Sequence, residues 1–240
     1  MLDAGEELLV EWLHSASAGG LLSNIKATDI ARRVGKTTGS FFHWWPTQEA
    51  YREQLLEHLL SADRMRELNV EGTLAAITEA VATRGRAELS DVIRAGGRAN
   101  FEDLGRGNAF EIQILLLAGR AGDPQISTAL KAFYRALLDA FVPVYIDFLN
   151  LFQRRMRAPF TVENYAVALT ALAEGLHMRR LVDPDMVPDS MPRPPGALTS
   201  PESHDEEWSL FASVMYALTE AMTEPDPEAV NTDDQPEGPA

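Results

Sequence analysis

The chain is 240 residues long, enough to bury a sizeable core in one or two domains, and 45% of it is hydrophobic, an ordinary globular share. It contains no cysteine, which excludes disulfides, thiolate catalysis and Cys-ligated zinc and agrees with a reducing cytoplasm. The formal net charge of −15 is uneven: residues 1–66 hold 7 Lys/Arg against 9 Asp/Glu, residues 67–182 hold 13 against 13, and residues 183–240 hold 1 against 14. The opening MLDAGEELLVEWL lacks the basic segment of a signal peptide. No apolar run approaches the ~18 residues that span a bilayer, so no membrane partner is expected.

In chain order, residues 3–17 read as an amphipathic helix with Leu2, Leu9, Leu13, Ala16 and Trp12 on one face, ended by Gly19-Gly20. Ile30, Ala31 and Val34 carry a second, short helix that stops at Gly35, a helix C-terminal signal. Thr37 can cap a third over Thr38–Trp44. A fourth starts at Thr47 after Pro46, with Tyr51, Leu55 and Leu59 on one face, and runs to about Leu68. Further helices are expected over 73–82, from Leu89 (weakened by Gly96-Gly97), over Ala109–Gly119, and from Asp123-Pro124, which offer a cap and a first-turn proline. That last helix is long and apolar, with Pro143 inside it. Arg154, Arg155 and Arg157 crowd its end, where the helix dipole favours cations. Thr161 opens a helix over Val162–Leu181, and a last one covers Glu206–Thr223. The proline-rich run between them cannot be regular. Residues 224–240 are acidic, almost without core formers, and expected to be disordered. With no strand alternation and no internal repeat, the fold class is all-α.

Two short helices joined by a Gly-containing turn form a helix-turn-helix, whose second helix enters the DNA major groove. No acidic residue lies between Ile30 and Gln48, as phosphate contact requires. The segment DIARRVGKTTGSFFHWWPTQEAYREQLLEHL resembles the helix-turn-helix of TetR-like transcriptional repressors: Ile30-Ala31, Gly35, Gly39-Ser40-Phe41-Phe42, then Trp45-Pro46-Thr47-Gln48. Two positions depart from the family pattern. Phe42 stands where a tyrosine is usual, without its phosphate-bonding hydroxyl, and Gln48 stands where a lysine is usual.

The resemblance implies a helix-turn-helix domain over residues 1–46, a connecting helix over 47–68, and a ligand-binding and dimerisation domain over 69–223, followed by the acidic tail. It implies a homodimer that sets two recognition helices in successive major grooves of a near-palindromic operator. A small apolar or aromatic effector would release the DNA, with the connecting helix transmitting the change. Val162–Leu181 and Glu206–Thr223 would pack across the dimer axis as a four-helix bundle. The candidate DNA contacts are Lys26, Thr28, Arg33, Lys36, Thr37, Thr38, Ser40, Phe42, His43, Trp44 and Gln48, with Trp45 in the core.

The aromatic stripe Phe133, Tyr134, Phe141, Tyr145, Phe148, Phe152 is core in most helical proteins. The resemblance makes a pocket of part of it, with Asn100, Phe110, Gln113, Tyr134, Phe141, Tyr145, Phe148 and His177 as candidates. Glu-x-x-His occurs at Glu11/His14 and Glu174/His177, half of a di-iron carboxylate pattern. The first pair falls in the helix-turn-helix domain and the second in the body, so neither a metal, a cofactor nor an enzyme is expected. Nothing sets a nucleophile beside a base. The alternative function is a ligand-binding protein with a degenerate DNA-binding head, which the acidity and the missing basic N-terminal arm favour, and the remote alternative is a helical di-iron enzyme.

Overall fold

The computed structural model describes residues 1–14, 25–61, 71–84, 88–120, 123–198 and 207–227. The expected Gly19-Gly20 stop, the helix beyond Ser61 and the tail from residue 228 onwards lie outside the described residues. Helices α1 (Leu2–His14), α2 (Ala27–Arg33), α3 (Thr38–Trp44), α4 (Gln48–Leu59), α5 (Glu71–Arg84), α6 (Leu89–Leu104), α7 (Ala109–Gly119), α8 (Pro124–Leu151), α9 (Val162–Val182) and α10 (Leu210–Met222) follow in order. Strand β1 (Arg154–Met156) lies between α8 and α9, and strand β2 (Thr223–Pro225) follows α10. None of these helices is long and apolar enough to cross a membrane.

The chain forms two compact units, Met1–Leu68 with Gly105–Leu137 and Asn69–Leu104 with Leu138–Ala240. This divides the sequence differently from the expected 1–46, 47–68 and 69–223, because α7 and the first half of α8 belong with the helix-turn-helix. In the first unit the buried apolar residues include Leu9 of α1, Ile30 of α2, Phe41 of α3, Tyr51 and Leu55 of α4, Leu116 of α7 and Leu130 of α8. Asp123 caps α8 as expected, its Oδ1 accepting from the backbone N–H groups of Gln125 (2.9 Å) and Ile126 (3.3 Å). α4 ends at Leu59, short of the expected Leu68.

In the second unit α6 runs unbroken through Gly96 and Gly97. Trp208, Val92, Ile93, Phe148, Leu149, Ala212 and Tyr216 form one cluster, and Phe101, Ala173, Val187 and Phe211 another. α9 opens on the full capping box of Thr161 and Asn164, each side chain bonded to the other's backbone N–H at 3.2 Å. α5 starts at Glu71, earlier than expected, and presents Thr73 rather than Leu74 inward: Leu74 is 41% exposed and Thr73 8%.

The arginines after α8 are not at a helix end. Gln153 takes a left-handed φ of 49°, and Arg154–Met156 then pair antiparallel with Thr223–Pro225. Arg155 bonds Glu224 at 2.9 and 3.1 Å, and Arg154 Nε donates to Thr223 Oγ1 at 2.7 Å. The fold is all-α apart from this two-stranded ribbon, which places Glu224 and Pro225 in a strand where disorder was expected.

Candidate functional site

The helix-turn-helix is built by local chemistry. α2 closes in a Schellman arrangement: Lys36 N–H reaches Ala31 O at 2.8 Å and Gly35 N–H reaches Arg32 O at 3.1 Å, with Gly35 at φ +65°. Thr37 caps α3, its Oγ1 accepting from Ser40 N–H at 3.1 Å and lying 3.1 Å from Ser40 Oγ. Thr47 caps α4 through Ala50 N–H. Phe41 is fully buried and packs on Tyr51 and Trp45, with ring centroids 5.0 and 5.3 Å away. That anchor turns Phe42, His43 and Trp44 outward, Phe42 at 44% and Trp44 at 71% exposure.

The acidic first helix braces this head. Arg33 Nε lies 2.6 Å from Glu7, and its Nη2 hydrogen-bonds Glu11. That bond holds the Glu11 carboxyl below its usual range and raises the Arg33 guanidinium. His58 of α4 lies 3.3 Å from Asp3 and 3.6 Å from Glu6. Tyr51 donates its hydroxyl to Met1 O at 2.9 Å and touches α1 at Gly5, where a Cβ would fall 2.1 Å from the phenol oxygen. Burial pushes the Tyr51 hydroxyl above its usual range.

The candidate contacts therefore divide. Lys26, Thr28, Lys36, Phe42, His43 and Trp44 are exposed, Thr38 is half-buried, and among the described residues no ion pair holds either lysine. Arg33 is instead neutralised by two α1 carboxylates, a role that sequence reasoning missed, although Glu7 and Glu11 stand one helical turn apart. Gln48 is turned inward, with Nε2 donating to Ile25 O, because the chain entering α2 passes beside the start of α4. The hydroxyls of Thr37 and Ser40 are engaged in the α3 cap.

In the second unit a cavity of about 20 Å³ lies between α5, α6, α8 and α10. Ile93, Tyr145, Phe148, Phe211 and Met215 line it, with one polar spot where Asn100 donates to Thr73 at 3.2 Å. Its size is that of about one water. Burial raises the Tyr145 hydroxyl above its usual range.

A protein assigned to the TetR family of transcriptional regulators, from Syntrophomonas wolfei, superposes with a TM-score of 0.51 at 15% identity, covering 90% of this chain and 94% of its own. This is the TetR fold. A protein assigned as a transcriptional regulator, from Rhodococcus sp. RHA1, shares it with a TM-score of 0.50 at 13% identity, covering 97% of this chain and 98% of its own. Neither a family model nor a curated protein matches the sequence.

Within the TetR fold, only part of the expected pocket converges. Asn100, Tyr145 and Phe148 line the cavity. Phe110, Gln113 and Tyr134 belong to the other unit, where Gln113 donates to the Tyr134 hydroxyl at 2.9 Å. Phe141 is buried and stacked on Tyr145. His177 packs edge-on against Phe101, away from the cavity, and burial, then Arg180, lowers its pKa. The lining residues not foreseen are Thr73, which bonds Asn100, and apolar positions (Val92, Ile93, Phe211 and Met215 among them) with no signal beyond helical periodicity. The two Glu-x-x-His pairs lie in different units, and Glu11 is spent on Arg33. Among the described residues no three His, Asp or Glu side chains converge to hold a metal ion.

Proposed function

We propose that the chain is a DNA-binding transcriptional regulator that acts as a homodimer on a near-palindromic operator and is released by a small apolar or aromatic effector. The observation that carries this reading is the outward face of α3, with half-buried Thr38 and exposed Phe42, His43 and Trp44 on a helix that a buried Phe41 anchors in a TetR fold, and exposed Lys36 in the turn before it. Lys26 and Thr28 flank it at the start of α2. The apolar side chains that α9 leaves exposed, Val167, Met178, Leu181 and Val182, support a second copy packing there. The effector would enter the cavity under Asn100 and Tyr145 by parting α6 from α10, since the present volume admits only about one water. Binding that needs an opened state shifts the population toward that state.

A mobility-shift assay on DNA flanking the chain's own gene, with and without a panel of aromatic compounds, tests this. A sequence-specific complex dissolved by a member of the panel is the expected result. The neutralised Arg33 and inward Gln48 favour a second reading, a ligand-binding protein with a degenerate head. That reading predicts no sequence-specific complex alongside effector binding.

A further inference from the structure

The second unit contains another concavity, a cleft of about 260 Å³ between the start of α6, the end of α10, β1 and the chain near Leu198. Its floor is Ser90, Tyr216 and Arg154, and its rim carries Glu88 and Glu220, with Leu89 and Leu198 as apolar walls. Arg154 and Glu220 neutralise each other at 3.2 Å, and Arg154 also donates to Thr223. Glu88 is exposed, and among the described residues no ion pair holds it. The cleft therefore carries one uncompensated negative charge. Ser90 is 2% exposed, yet its Oγ has no hydrogen-bond partner. A buried hydroxyl left unbonded is unfavourable, and one lining a cleft is satisfied by a ligand that brings a polar group to it.

We propose that this cleft binds a small organic cation: an amine held by Glu88, with a short apolar body between the leucines and a hydroxyl that bonds Ser90. The volume suits a single ring with a short amine arm, below the range of drug-sized sites. This site is separate from the apolar cavity and does not depend on DNA binding.

The test uses the full chain, calorimetry and thermal unfolding, with tyramine as probe. Phenethylamine lacks the hydroxyl and 4-ethylphenol lacks the amine. Tyramine at ten times its Kd raises the unfolding midpoint by about 3–5 °C. 4-Ethylphenol at the same concentration does not. Glu88→Gln weakens tyramine by up to about fivefold, the contribution of an exposed ion pair. Ser90→Ala weakens tyramine but leaves phenethylamine unchanged. The proposal is overturned if tyramine produces no shift up to about 10 mM, weaker than the mM limit of simple ligand contacts. It is also overturned if Glu88→Gln binds tyramine as wild type does, or if 4-ethylphenol binds equally well. No DNA enters the measurement, so failure of the regulator reading leaves this result untouched, and the reverse holds.

Discussion

Replacing Glu7 and Glu11 by glutamine should release Arg33 and make DNA binding both tighter at low salt and more sensitive to salt. In the wild type two lysines per protomer, Lys26 and Lys36, are without an ion pair among the described residues, four per dimer. Each neutralised phosphate adds about 0.9 to the slope of log affinity against log salt, so four give a slope of about −3.6. Between 50 and 200 mM salt that is a loss of about 150-fold. A freed Arg33 in each protomer steepens the slope to about −5.4 and the loss to about 1,800-fold. The substitution also removes exposed ion pairs, each contributing at most about 1 kcal/mol, so the head stays folded. Fluorescence anisotropy of a labelled operator across a salt series measures the slope, and circular dichroism checks the fold. An unchanged or shallower slope in a folded double mutant would show that Arg33 does not face the phosphates even when released, and would sink the reasoning.

Other substitutions probe the same geometry. Lys36→Ala should cut the salt slope by about 2 per dimer, whereas Trp44→Ala should weaken binding with the slope unchanged, which anisotropy separates. Gly5→Ala places a Cβ against the Tyr51 phenol, so it should destabilise by about 1–3 kcal/mol despite alanine's better helix propensity. Tyr51→Phe removes the obstructing oxygen, and the double mutant should be more stable than the sum of the singles in urea unfolding; strict additivity would refute the contact. Burial lowers the His177 pKa, so below the ordinary histidine value the unfolded chain takes up its proton first. The stability contributed by the neutral ring is full above that value and lost as pH falls toward the lowered one. His177→Gln should therefore narrow the difference between midpoints at pH 7.5 and 5.5.

What could be read from the sequence was what neighbouring residues decide. Gly35, Thr37, Thr47, Asp123 and Thr161 mark helix ends through bonds that span two to five residues, and all five do so in the structure. What could not be read depends on partners far along the chain. Arg33 meets Glu11 across 22 residues and Gln48 meets Ile25 across 23, and nothing local says that either side chain turns inward. The arginines at 154–157 fit a helix end equally well by composition, and only the turn at Gln153 and the distant Thr223–Pro225 strand decide otherwise. The aromatic stripe looked continuous, but it passes from one compact unit to the other after Leu137, so Phe133 and Tyr134 belong to the first unit and the other four to the second.

The Arg33 clamp has a consequence for search. Random genomic DNA competes with an operator almost entirely through phosphate charge. A head that spends Arg33 on its own first helix, with Arg32 and Arg52 paired to Asp29 and Glu49, gives that competitor little to hold. On the proposed reading, fewer copies are sequestered on the chromosome, and occupancy of the operator is governed by what Trp44, His43 and Thr38 meet in the groove rather than by how much DNA surrounds it.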